Sequence, residues 1–152
     1  MPEGTMTTTQ SGLGVKRLAG ALGAEVTGLN LADGNYDNLF PALYQAFLDH
    51  QVIVLRGQNL SPDQLVALSK KFGPLEAHVL KQFNMEENPE VLLISNVKKE
   101  GKPIGAIYAG QYWHSDLSYM PRPTQGSFLH SKEIPSYGGD TMFCSMTQAY
   151  DD

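Results

Sequence analysis

The run Val52-Ile53-Val54-Leu55, closed by Arg56-Gly57, constrains the fold more than any other stretch of this chain. No polar position alternates through it, so it reads as a strand buried on both faces, which needs other elements laid over it. Helical signals stand on either side. From Asp37, the residues Leu39, Leu43, Ala46, Phe47 and His50 recur at three- and four-residue spacing, the pattern of an amphipathic helix. Pro41 is tolerable there only near the first turn, and His50 suits the C-terminal end beside the negative end of the helix dipole. Downstream, Ser61-Pro62-Asp63-Gln64 starts a second helix: Ser61 caps, Pro62 takes the first helical position, and Gln64 reaches back to complete a capping box. That helix runs through Leu65, Leu68 and Lys71 and stops at Gly73-Pro74.

The remaining apolar runs are short. Val15, Leu18, Leu22, Val26 and Leu29, broken by Gly20, Gly23 and Gly28, fit two short strands joined by a glycine turn. Gln82 to Pro89 is polar loop, and Val91 to Asn96 reads as a strand. Lys98 to Gly110, with three glycines and a proline, reads as a long mobile excursion. From Gln111 onward the pattern is short strands, with Gly126 to Glu133 and Asp140 to Phe143 flanking a turn at Pro135-Ser136-Tyr137-Gly138-Gly139. Ser145-Met146-Thr147-Gln148 repeats the capping-box pattern. A helix begun there has about two turns, too short to hold itself, so the sequence reads as truncated. Cys144, Met142 and Met146 read as core.

Composition narrows the function classes. With 41% hydrophobic and 18% charged residues the chain is globular. The net charge of −5 and the scattered Lys and Arg leave no phosphate-tracking stripe, so nucleic acid is set aside. Cys144 is the single cysteine, which excludes an intrachain disulfide and fits a reducing cytoplasm. No apolar run approaches membrane-spanning length, and residues 1–14 lack the apolar core of a signal peptide. The organisation expected is a disordered tail over 1–14 and a single domain over 15–152.

One tripeptide carries chemistry. In Trp113-His114-Ser115-Asp116, strand geometry sends His114 and Asp116 to one face and Trp113 and Ser115 to the other. An imidazole nitrogen and a carboxylate oxygen so placed can occupy adjacent corners of one metal ion. This is the sequence-local part of the two-His-one-carboxylate set used for iron(II), which leaves positions open for other ligands. Alone, the tripeptide is equally an ordinary hydrogen-bonded pair. Zinc hydrolysis would need more nitrogen or sulfur ligands than are present.

Five stretches together are more specific: Leu22-Gly23-Ala24-Glu25-Val26-Thr27-Gly28-Leu29, Val52 to Gly57, Phe72-Gly73-Pro74-Leu75, Trp113 to Asp116, and Gly138-Gly139-Asp140-Thr141. In their order and spacing, residues from about Val15 to Asp152 resemble the taurine dioxygenase and phenoxyacetate dioxygenase family of 2-oxoglutarate-dependent oxygenases. The resemblance implies a mostly β fold with peripheral helices, a double-stranded β-helix (jelly-roll) left incomplete by truncation. It implies iron(II) on His114 and Asp116, with 2-oxoglutarate as co-substrate and dioxygen as oxidant. The co-substrate threonine of the family falls on Thr141, whose hydroxyl would bond a carboxylate of 2-oxoglutarate. The reaction implied is hydroxylation of a small anionic substrate, a sulfonate or aryloxy acid or similar, with release of succinate and carbon dioxide.

The family's third ligand, a distal histidine, and its 2-oxoglutarate-binding arginine match no residue here, and His130 falls in ordinary strand rather than at the ligand position. The competing reading is therefore an inactive fragment or partner-binding remnant of such an enzyme. His78 falls where family members that bind anions place a substrate-contacting histidine, or is a plain loop residue. Tyr119 is a pocket aromatic or core. Lys98, Lys99 and Lys102 are a solvated loop or part of a substrate lid. The partner expected is a small molecule, with neither nucleic acid nor membrane, and a homodimer is the default assembly.

Overall fold

The computed structural model describes residues 6–8 and 12–152, whose contacts divide into two compact units. The first unit comprises 1–64 and 134–152, and the second comprises 65–133.

The first unit holds a four-stranded sheet of β1 (Met6–Thr8), β2 (Gly14–Arg17), β3 (Ala24–Thr27) and β4 (Ile53–Val54), in that order. β1, β2 and β3 are antiparallel, and β4 lies parallel to β3. The glycine-broken strands are thus where the pattern puts them, with Val15 opposite Val26 and both buried. Met6–Thr8 form a paired strand inside the stretch expected to be a disordered tail. Residues 1–5 and 9–11 of that expectation lie outside the described residues.

The parallel pairing of β4 with β3 requires a crossover, and α1 (Tyr36–His50) supplies it, packing against both strands. Its buried Leu43 and Ala46 join Leu13, Val15, Val26 and Leu31 in the core. Pro41 falls in the second turn rather than the first. The helix ends at Gln51, whose φ of 64° is a left-handed conformation usually taken by glycine. Ser145 Oγ holds that residue by donating to Gln51 Oε1 at 3.2 Å. β4 is half-buried rather than covered on both faces, because it is a two-residue edge strand paired only to β3.

The capping box forms as read. Gln64 N donates to Ser61 Oγ at 3.2 Å, and Ser61 N donates to Gln64 Oε1 at 2.9 Å. It opens α2 (Pro62–Phe72), which carries the chain into the second unit and ends before Gly73, at φ 150°. There Leu68 and Val66 are buried, and Phe72 packs edge-on against Phe128 at 5.0 Å between ring centroids. At the end of the chain, α3 (Met146–Asp151) belongs to the first unit and is capped by Ser145 Oγ.

The second unit departs most from the sequence reading. Val91 to Asn96 is not a strand but a single bridge, Leu92 to Asn84, flanked by isolated backbone bonds. Part of the supposed mobile excursion is a hairpin, β5 (Lys98–Lys99) and β6 (Lys102–Pro103). Its turn residues Glu100 and Gly101 have φ of 51° and 78°, the signs of a type I′ turn. Beyond it, Ile104 N bonds Val97 O and Ala106 N bonds Leu93 O, so the pairing extends further down both arms.

Past Gln111 the expected short strands do not form, and Gly126 to Glu133 and Asp140 to Phe143 are irregular. A strand exists only against a neighbour, and among the described residues none pairs with these segments. Their apolar side chains are accordingly uncovered. Met142 and Met146, expected in the core, are 72% and 67% exposed, and Cys144 is exposed as well. Trp113 is also exposed. The architecture observed is therefore mixed, short sheets with helices. No helix among the described residues is long and apolar enough to cross a membrane.

Candidate metal centre

His114 and Asp116 do meet, although not on a strand. The chain through 113–115 is irregular and enters a turn at Asp116, with Leu117 in the left-handed region at φ 48°. His114 Nε2 stands 3.3 Å from Asp116 Oδ1. The other ring nitrogen, Nδ1, lies 2.6 Å from the backbone oxygen of Tyr112. A carbonyl oxygen can only accept, so Nδ1 carries the proton and donates. With Nδ1 turned to Tyr112, Nε2 is the ring nitrogen that faces the carboxylate oxygen.

That donor set fits a divalent metal of the iron(II) kind. Nitrogen and oxygen donors converge, and the second imidazole nitrogen is anchored to a backbone carbonyl, as ligating histidines usually are. The carboxylate is anchored too: Ser127 Oγ donates to Asp116 Oδ2 at 2.5 Å. Both ligand side chains are 52% exposed, leaving room for further ligands. Gly110, at φ 77°, lies beside the imidazole, where an added Cβ would be 3.9 Å from His114 Cε1. Among the described residues, no group of three or more His, Cys, Asp or Glu side chains converges. The described residues thus bring together two donors, one nitrogen and one oxygen.

A cavity of about 320 Å³ lies in the same unit, lined by Leu80, Phe83, Pro103, Ala106, Ile107 and Tyr108 among others. Its walls are apolar, and its volume is at the lower end of small-molecule sites. The lining includes Ala109, next in sequence to Gly110; His114 and Asp116 are not part of it.

The other expected site residues are placed as follows. His78 lies in the second unit. Its Nδ1 accepts the N–H of Leu80 at 3.1 Å, which leaves Nε2 as its outward group and ties it to a cavity residue. Tyr119 lies in that unit too and is largely exposed. Neither residue hydrogen-bonds to the His114–Asp116 pair among the described residues. Thr141 is an exposed residue of the first unit, on the irregular segment leading to α3. Lys98, Lys99 and Lys102 are exposed on the hairpin.

Sequence reasoning missed Ser127 and Tyr112. Tyr112 was accessible in principle, being two residues before His114. Ser127 is eleven positions after Asp116 and is brought back only by the turn between them, so no local spacing marks it.

Comparison with known proteins finds likeness over most of the chain. The profile of the family described as "Taurine catabolism dioxygenase TauD, TfdA family" matches residues 14–152. An (S)-phenoxypropionate/alpha-ketoglutarate-dioxygenase from Delftia acidovorans is 33% identical over 153 residues, covering 93% of this chain and 49% of the relative. An alpha-ketoglutarate-dependent 2,4-dichlorophenoxyacetate dioxygenase from Cupriavidus pinatubonensis is 38% identical over 116 residues, covering 68% of this chain and 39% of the relative. The crystal structure of AAD-2 in complex with Mn(II) and N-oxalylglycine superposes with a TM-score of 0.50 at 24% identity, over 73% of this chain and 38% of that one, a likeness of fold. The chain spans about half the length or less of these relatives. With the profile matched across all but the first residues, and an imidazole and a carboxylate drawn together within it, the chain belongs to the taurine catabolism dioxygenase TauD, TfdA family.

Proposed function

We propose that this chain carries the metal-binding pair of an iron(II)- and 2-oxoglutarate-dependent dioxygenase that hydroxylates a small anionic molecule with an apolar body. One observation carries the reading: His114 Nε2 and Asp116 Oδ1 converge at 3.3 Å, with the far atom of each group already bonded to Tyr112 and Ser127. Family membership supports it. Iron(II), when bound, would let dioxygen oxidise 2-oxoglutarate to succinate and carbon dioxide, with the second oxygen atom entering a substrate C–H bond.

The chain's own residues have definite tasks in that scheme. His114 and Asp116 hold the metal from one side and leave the other open. Thr141 donates its hydroxyl to a carboxylate of 2-oxoglutarate. The apolar cavity takes the body of the substrate, which favours an aryloxy acid over a purely polar sulfonate. His78, held at Nδ1, presents Nε2 to the substrate's anionic group, and Tyr119 borders the same region. A further histidine ligand and a cation for the far end of 2-oxoglutarate come from outside the described residues. The complete domain is a jelly-roll, and the enzyme is cytoplasmic.

The rival reading, a non-catalytic remnant, draws on uncovered apolar residues such as Leu129, Ile134 and Phe143. Anaerobic titration of iron(II) and 2-oxoglutarate into the complete gene product carrying these residues separates the two. A saturable visible charge-transfer band, lost in Asp116→Ala, supports the dioxygenase. Absence of any band, in a protein that is folded by circular dichroism, sinks it.

A further inference from the structure

We propose that Ser127 is a positioning residue that orients the Asp116 carboxylate so that Oδ1 is the oxygen presented to the metal beside His114; the proposal rests on the metal reading above. A carboxylate turns easily about its terminal bond and can present either oxygen in many directions. Here the two oxygens have different partners. Oδ2 accepts the Ser127 hydroxyl at 2.5 Å, in the short range of hydroxyl-to-carboxylate bonds, while Oδ1 faces His114 Nε2 at 3.3 Å.

The surroundings fix both members of this bond. Leu117, at φ 48°, occupies a backbone region that side chains other than glycine adopt reluctantly. Its carbonyl accepts Met120 N at 3.0 Å, closing the turn that reverses the chain just after Asp116. On the returning segment, Phe128 packs edge-on against Phe72 of α2, holding the residue next to Ser127. A left-handed backbone residue thus follows one partner, and an aromatic contact follows the other. Because Asp116 is half-exposed, water could satisfy Oδ2 equally well. What the serine adds over water is a fixed direction.

The test uses the complete gene product and Mn(II) alone, with free aquo-ion followed by electron paramagnetic resonance. Wild type, Ser127→Ala, Ser127→Thr and Asp116→Ala are compared. Ser127→Ala is expected to weaken Mn(II) binding by about tenfold, within the roughly 10–100-fold range for losing an outer partner of a ligand. Ser127→Thr, which keeps the hydroxyl, is expected to restore wild-type affinity, and the metal-free melting temperature of Ser127→Ala to match wild type. Unchanged affinity in Ser127→Ala, with binding lost in Asp116→Ala, overturns the role of Ser127 and leaves the metal reading standing. A loss in Ser127→Ala that tracks a lowered melting temperature and is not restored by threonine also overturns it. Wild-type affinity in Asp116→Ala overturns the metal reading and this proposal together.

Discussion

His114 turns Nδ1 to the carbonyl of Tyr112, two residues behind it, and Nε2 to the carboxylate of Asp116, two residues ahead. The ring is thereby held in one tautomer and one orientation by its own short segment. The side chain is half-exposed, so if His114 holds the proposed metal its contribution is a ligand atom rather than packing. His114→Ala should therefore reduce succinate formation coupled to substrate by more than about 100-fold, since even an outer partner is worth 10–100-fold. The melting temperature of the metal-free protein should not move. Turnover at the wild-type rate would remove His114 from the metal.

Thr141→Val keeps shape and removes a hydroxyl. If that hydroxyl meets a carboxylate of 2-oxoglutarate, the substitution leaves the co-substrate without a partner, at a cost of about 1–3 kcal/mol in binding. The apparent affinity for 2-oxoglutarate, read from the charge-transfer titration, checks this. Thr141 is solvent-exposed in the metal-free chain, so the variant should fold normally. An affinity equal to wild type would move the co-substrate site elsewhere.

What the sequence made legible follows from the range of the interactions. The Ser61–Gln64 capping box, the stop at Gly73, the paired strands around Val15 and Val26, and the meeting of His114 with Asp116 are all set within a few residues. Each was read from local spacing. Ser127 was not, because its partner lies across a turn whose pivot, Leu117 in the left-handed region, looks like any leucine. The strands expected over Gly126 to Glu133 and Asp140 to Phe143 failed for the opposite reason. Their residue types favour extended chain, but pairing is a property of two segments, and no described strand pairs with either. The same absence leaves Met142, Cys144 and Met146 outside the core that their apolar character suggested.

Gly105 offers a stability test of the cavity wall. A Cβ there would stand 2.8 Å from both Leu93 O and Ser95 N, and 3.0 Å from Ser95 Cβ. Two of those neighbours are backbone atoms of the arm that bonds Ala106 N at Leu93 O, so they cannot swing aside. Gly105→Ala should destabilise by about 1–3 kcal/mol, the usual cost of overpacking. Gly20→Ala, where nothing lies within 4 Å, serves as the control and should be neutral or slightly stabilising. Matching urea midpoints for the two variants would mean that the 93–97 and 104–106 arms are not packed as described.

Tyr36 gives a prediction whose sign depends on pH. It is buried in the first unit, and its hydroxyl has no hydrogen-bond partner among the described residues. Burial raises the phenol pKa above its ordinary value of 10.0, because the phenolate would lose its hydration. The folded chain therefore holds this proton more tightly than the unfolded chain does. The resulting linkage contributes nothing adverse below about pH 10 and costs stability as pH rises from there through the folded-state pKa. Tyr36→Phe removes both the unpaired hydroxyl and the titration. At neutral pH it should be neutral or stabilising, by up to about 1–3 kcal/mol, the cost of an unsatisfied buried group. Its advantage over wild type should then widen above about pH 10. Urea unfolding at neutral and alkaline pH measures both effects. Destabilisation of Tyr36→Phe by more than about 1 kcal/mol at neutral pH would show instead that the hydroxyl has a buried partner, a trapped water being the simplest.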